Sequence, residues 1–559
     1  MKLALRVRPV LGNLQFEKHC DLVNHFGTCA QVSVHAAQCG DATIPNAHFR
    51  DRRYCNTGLE IFCDVSEGGP GLPNADFALY VTAKDNSVCG AGAAAHGSTC
   101  MQDQADRPIA GNLNFCRYHL RSDRRWHATV ATAVHEILHT LGFSSSMFAF
   151  FRADDGSPRT PRDEHGIPPH DGSNYQSASN TIEHVALNGR DKQYIVLPRV
   201  VEAARRHYAC NTLRRVPLED TGNDGTRFSH WDDHYLFSEV MTPDVNAMPR
   251  VSEMTLALLE DSGWYKADYS QAGGFFFGRQ KGCAFLQEPC IKDGVARFPD
   301  TFCTANGGPC SGGGAAPGCA HDLMAKAYCS NCLHDQPLPR RFRYFNNSHL
   351  GGTRRQMSYC PSWEPWGNAF CQDDPSQHFR AYGEAYSADA RCIMSTAIKQ
   401  DYYTPSSDMA SCRNVRCARG YVLVGVGQRW VNCSASEAGV RKEPGRGWSG
   451  EIVCPTYAQV CGRDGDEGPG RVPCRFPGVL RDGRCVCAPG YVNEDCAVED
   501  TEAGRSDYPY GLRYPQPELS LQAGVSVASA PGLSSWPVRP SLASRSSTRL
   551  LFTVSPPLP

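Results

Sequence analysis

Apolar positions recur at helical spacing around residue 135 of the chain. Val130, Val134, Ile137 and Leu141 mark one face of an amphipathic helix. Ala128, Ala131 and Thr132 keep that region small, and Gly142 supplies the left-handed turn that stops it. Two more helices follow from the pattern: one running to His207 after the strand-like Tyr194-Ile195-Val196-Leu197, and a short apolar one over Met254 to Trp264, stopped by Gly263. Ala75 to Thr82 is rich in aromatic and β-branched residues and predicts a strand. Pro108 to Phe115 alternates apolar with polar or small residues and opens on proline, which predicts a strand at a sheet edge. Ile109, Ala110, Gly111 and Asn112 would then form a rail for an extended peptide, which adds to a sheet through main-chain hydrogen bonds. An ordinary half-buried strand fits the same pattern equally well. Arg152 to Asn180 and the Gly/Pro-rich Gly307 to Gly318 read as loop or linker.

Chemistry enters on the first helix, which carries His135-Glu136-x-x-His139. Residues i and i+4 share a helix face, so two imidazoles can grip one cation such as Zn²⁺. Glu136 sits one step from His135, where its carboxylate can take a proton from metal-activated water. With 19 His in 559 residues, the bare motif arises by chance somewhere in roughly one chain in thirty. The alternative is a core helix with two satisfied histidines, and a zinc site needs a third protein ligand.

Charge and cysteine content narrow the setting. Net charge is −2, which gives no nucleic-acid surface. The 28 cysteines predict a disulfide-rich protein, extracellular or at a cell surface. Asn346-Asn347-Ser348 and Asn432-Cys433-Ser434 fit the N-glycosylation pattern of that compartment. The N-terminus is at odds with it: Arg6, Arg8 and Pro9 break any signal-peptide apolar run, so the natural start is expected to be missing. No transmembrane segment and no C-terminal lipid-anchor tail are expected. Cys329-Ser330-Asn331-Cys332 has metal or redox spacing, but in such a chain it reads as part of the disulfide set. Residues 320–462 are cysteine-dense, with alternating patches such as Tyr421 to Val426 that predict a β-rich module. After a linker over Arg463 to Gly470, Cys474, Cys485, Cys487 and Cys496 fit the end of an EGF-like module, a possible contact for an extracellular protein partner. From Val498 the Ser/Pro-rich composition predicts a disordered tail.

The short zinc pattern His-Glu-x-x-His-x-x-Gly-x-x-His would place its last His at position 145, which is Ser145. His165, His170, His184, His207, His230 and His234 remain as candidates. His230 stands apart because Glu239-Val240-Met241 follows it, and a Met after the third His is a metzincin signature. With these motifs, Asp76 to Val81, Arg107 to Gly111, Tyr208 to Leu213, Gly282 to Leu286, Tyr359-Cys360-Pro361 and Cys454 to Tyr457, the chain resembles the leishmanolysin family of zinc metallopeptidases. The resemblance covers most of residues 20–462. It implies His230 as third ligand, Met241 as the Met beneath the metal, and disulfides Cys39–Cys100, Cys210–Cys283 and Cys290–Cys360. The segment Phe143 to Ser229 is longer than usual for the family, and the family's pro-segment cysteine has no upstream counterpart here.

The expected architecture is α+β. A metzincin-like catalytic subdomain (1–144) carries a twisted sheet and the active-site helix. A central α/β subdomain (145–288) carries the third His and the Met-turn. A disulfide-rich, mainly β domain (289–462), the EGF-like module (463–497) and the tail (498–559) follow. The expected activity is hydrolysis of protein or peptide substrates by a zinc endopeptidase with one Zn²⁺ per chain and Glu136 as general base. Two rivals are a catalytically silent binding ectodomain and an intracellular enzyme with reduced cysteines.

Overall fold

The computed structural model describes residues 4–24, 27–33, 36–55, 63–120, 126–172, 174–187, 190–221, 227–244, 249–305, 307–310, 316–372, 380–387, 389–403, 405, 407–418 and 420–461, with short strands at 479–481, 484–486, 491–492, 498–499 and 550–554. The chain divides into two compact units, one of residues 1–182, 256–269 and 513–559, the other of 183–255 and 270–512. This division cuts the chain at other places than the five parts expected from composition. Most of the EGF-like segment lies outside the described residues.

The first unit holds a four-stranded sheet. Phe77–Thr82 pairs parallel with Pro108–Phe115, which pairs antiparallel with Ala95–Gln102. The expectation for Ile109, Ala110, Gly111 and Asn112 is therefore corrected: their strand is internal, and Ala95–Gln102 forms the outer edge. The alternation misleads because the polar positions are buried, with their amide oxygens hydrogen-bonded to side chains of neighbouring strands. Asn112 accepts from Ser98 Oγ at 2.7 Å, and Asn114 accepts from Thr82 Oγ1 at 2.8 Å. Pro108 is the first residue of its strand, a position that tolerates the missing donor.

A second correction concerns the tail. Leu550–Val554 forms a strand pairing parallel with Phe77–Thr82 on the side away from Pro108–Phe115. Leu-Leu-Phe-Thr-Val is an apolar, β-favouring run inside otherwise polar composition, so the expectation of disorder does not hold for these five residues.

The helix Trp126–Thr140 packs on this sheet. Gly111 makes that possible, since a Cβ there would lie 2.6 Å from Thr140 Cβ. Past the helix, Gly142 takes φ +120°, and a Cβ on it would lie 2.7 Å from the Trp264 ring. Both the turn and the close approach require glycine.

The second unit contains the helix Pro198–Tyr208, opened by its own proline and closed by Ala209 in the left-handed region. It also contains a six-stranded sheet in the order 429–434, 421–426, 409–418, 390–395, 452–453, 441–442. Ile393, Val415, Val422, Val424, Val426, Val431 and Ile452 form its core. Twelve disulfides form among the described residues, and no described cysteine is free. They include Cys39–Cys100, Cys210–Cys283 and Cys290–Cys360, the three pairings implied by the resemblance. Cys329 and Cys332 bond to Cys303 and Cys310, so the Cys-x-x-Cys pair belongs to the disulfide set. Among the described residues no helix is long and apolar enough to cross a membrane.

Candidate metal centre

In the first unit, the helix Trp126–Thr140 carries His135, Glu136 and His139. The Nε2 atoms of His135 and His139 approach to 3.0 Å. Two nitrogens sharing a tetrahedral zinc at ordinary bond lengths sit about 3.3 Å apart, so the pair already stands close to ligand spacing. His139 Nδ1 is 2.6 Å from the Phe143 carbonyl oxygen. An N–H on Nδ1 donates there, which leaves the Nε2 lone pair for a metal. Burial, and next the neighbouring His135 ring, push the His139 pKa down to about 3, opposed by the Phe143 carbonyl. The ring is therefore neutral near pH 7, the form that binds metal. The chemistry and spacing of these donors fit zinc.

Glu136 is 6% exposed. Burial pushes its carboxyl up to about 8, opposed by a backbone hydrogen bond from Gly97. A Cβ on Gly97 would lie 2.5 Å from the Glu136 carbonyl oxygen, so the outer strand Ala95–Gln102 runs directly against the helix. Thr99 Oγ1 donates to the Thr140 carbonyl at 3.0 Å and holds the strand there.

In the second unit, His230 is buried, and its carbonyl accepts from the Glu219 N–H at 2.9 Å. The next residue, Trp231, donates its N–H to the Met241 carbonyl at 2.9 Å and its indole N–H to Thr255 Oγ1 at 2.9 Å. Met241 is fully buried. Its N–H donates to Glu239 Oε2 at 2.5 Å, while Glu239 Oε1 accepts from the Ser252 N–H and Thr255 Oγ1. Burial raises the Glu239 pKa, opposed by these same donors. Glu239 thus ties the Met241 turn to the start of the helix Glu253–Asp261. That bracing role was missed in the sequence; its signal was the carboxylate two residues before Met241.

The other candidate histidines are placed differently. His165, His170 and His184 are exposed. His207 Nε2 lies 2.7 Å from the Phe277 carbonyl oxygen, and His234 Nδ1 lies 3.0 Å from that of Met357.

Comparison with known proteins agrees with these motifs. Residues 32–467 match the family model Peptidase_M8, described as Leishmanolysin. The chain belongs to the leishmanolysin family. A leishmanolysin-like peptidase of Drosophila melanogaster is 31% identical over 526 residues, covering 82% of this chain and 75% of that protein. The relative of the same name in Caenorhabditis elegans is 29% identical over 527 residues, covering 82% and 78%. Leishmanolysin of Leishmania donovani is 31% identical over 438 residues, covering 76% of this chain and 64% of its own length. Membership in the leishmanolysin family makes the chain a metalloendopeptidase acting on protein or peptide substrates.

Proposed function

We propose that the chain is a zinc-dependent endopeptidase in which His135, His139 and His230 hold one Zn²⁺ and Glu136 is the general base. The observation that carries this reading is the pair of facing imidazole nitrogens on the helix, with Glu136 between them in sequence. His230 is favoured as the third ligand because it is buried and tied through Trp231 to Met241. When bound, zinc supplies a Lewis acid that acidifies water and polarises the scissile carbonyl. Glu136 removes the proton of the attacking water and delivers it to the leaving amine. The Phe143 carbonyl fixes the His139 tautomer. In this reading Met241 gives apolar support and is not a ligand.

The correction to the sheet also moves the substrate rail. The outer strand Ala95–Gln102, alongside Glu136, offers the edge on which an extended peptide adds as a strand. The disulfides fit an oxidising, extracellular or surface setting. Asn346 and Asn432 are both exposed, as glycan acceptors must be. The EGF-like segment would supply the contact for an extracellular protein partner. A catalytically silent scaffold is not favoured, since His135, Glu136 and His139 are all present.

The test is zinc content and casein cleavage measured together. The wild type should hold one zinc and cleave. Removing zinc with a chelator should abolish cleavage, and adding Zn²⁺ should restore it.

A further inference from the structure

The segment from His230 to Asp244 carries the proposed third ligand near one end and Met241 near the other. One guanidinium reaches both of its ends. Arg354 Nη1 lies 3.9 Å from Asp233, three residues after His230, and 3.2 Å from Asp244, three residues after Met241. Its Nε donates to Glu364 Oε2 at 3.1 Å. Its guanidinium also sits 5.3 Å from the centroid of the Phe237 ring, midway along the segment.

Arg354 is itself held. Glu364 lies on the strand Trp363–Phe370 and accepts from Tyr328 Oη at 3.1 Å and Thr353 Oγ1 at 3.2 Å. The backbone after Arg354 reaches the same segment again, with the Met357 carbonyl 3.0 Å from His234 Nδ1. The Cys290–Cys360 disulfide anchors the end of this loop.

We infer that Arg354 is a positioning residue: by clamping Asp233 and Asp244 from a disulfide-anchored loop, it sets where His230 is presented and so controls zinc affinity. Three acidic side chains surround one guanidinium, and Asp233 is fully buried. Removing this guanidinium takes away the hydrogen-bond donor of Asp244 and Glu364 and the cation beside buried Asp233, so the segment loses the group that ties its two ends to the loop. Burial already favours the protonated form of Asp233, opposed by Arg354. The sequence carries no hint of this, because Arg354 lies 124 positions beyond His230, from the difference of their numbers.

This inference rests on His230 being a ligand, and a double-mutant cycle separates the two claims. The dissociation constant for zinc is measured by chelator competition in wild type, Arg354→Met, His230→Ala and the double variant. Arg354→Lys and Arg413→Met serve as comparisons, since Arg413 is a still more buried arginine in the same unit. Arg354→Met should weaken zinc binding at least tenfold in the wild-type background and less than twofold in His230→Ala. Arg354→Lys should recover part of the loss, and Arg413→Met should leave zinc affinity unchanged at a comparable loss of thermal stability. An equal loss in both backgrounds, no loss in either, or an Arg413→Met loss as large as that of Arg354→Met overturns the inference. If His230→Ala itself leaves zinc affinity intact, the ligand assignment fails instead.

Discussion

At the scale of single residues, the proposed general base is a buried carboxylate on the same helical turn as two facing imidazoles. In the proposed mechanism Glu136→Ala removes the proton acceptor but no ligand. Turnover should fall by roughly 10²–10⁴-fold, the usual worth of a positioned acid–base group. Zinc content should not change; loss of zinc in this variant would make Glu136 a ligand or a structural support. Asp233 gives a second prediction. Burial lifts its carboxyl from 3.8 to about 8 despite Arg354. The native state therefore binds more protons than the unfolded chain between these values, so stability falls as pH rises through that window. Asp233→Asn should flatten this slope, seen as a smaller fall in Tm between pH 5 and pH 8. An unchanged slope would place the titration elsewhere. His135, Glu136 and His139 were legible because one helical turn encodes them together. The third histidine was not legible by spacing, since Ser145 occupies the short-form position. Arg354 and Asp233 are ordinary charged residues until folding brings them together.

At the scale of elements, small residues decide how closely sheet and helix approach. Gly97 and Gly111 leave no room for a Cβ against Glu136 and Thr140. Gly97→Val should cost about 1–3 kcal/mol from overpacking, and it should depress activity further by displacing the Glu136 backbone. Chemical denaturation and casein cleavage on the same variant check both; full activity at wild-type stability would refute the close approach. The helix, the strand at Ala75 to Thr82 and the strand at Pro108 to Phe115 were legible from periodicity. Which strand forms the edge was not. Asn112 and Asn114 look solvent-facing as letters, yet both are buried and bonded within the sheet. Strand order depends on pairing between distant segments, which local alternation does not encode.

At the scale of the whole molecule, disulfides supply much of the constraint. Cys210–Cys283 closes a separation of 73 residues at the end of the helix Pro198–Tyr208. Replacing both cysteines with serine should cost about 2–4 kcal/mol, read as a lower denaturation midpoint. The cysteine count made the oxidised state legible. Three pairings came through the family resemblance and the others not at all, because connectivity depends on the folded path. The tail strand Leu550–Val554 was hidden for a related reason: composition averaged over the tail masks a five-residue, β-favouring run with a specific partner. The most direct measurement is zinc stoichiometry and casein cleavage on the same preparations of wild type, Glu136→Ala and His230→Ala. The three-histidine centre predicts one zinc with activity, one zinc without activity, and zinc well below one per chain without activity, respectively. A His230→Ala protein that keeps its zinc and its cleavage rate would contradict it.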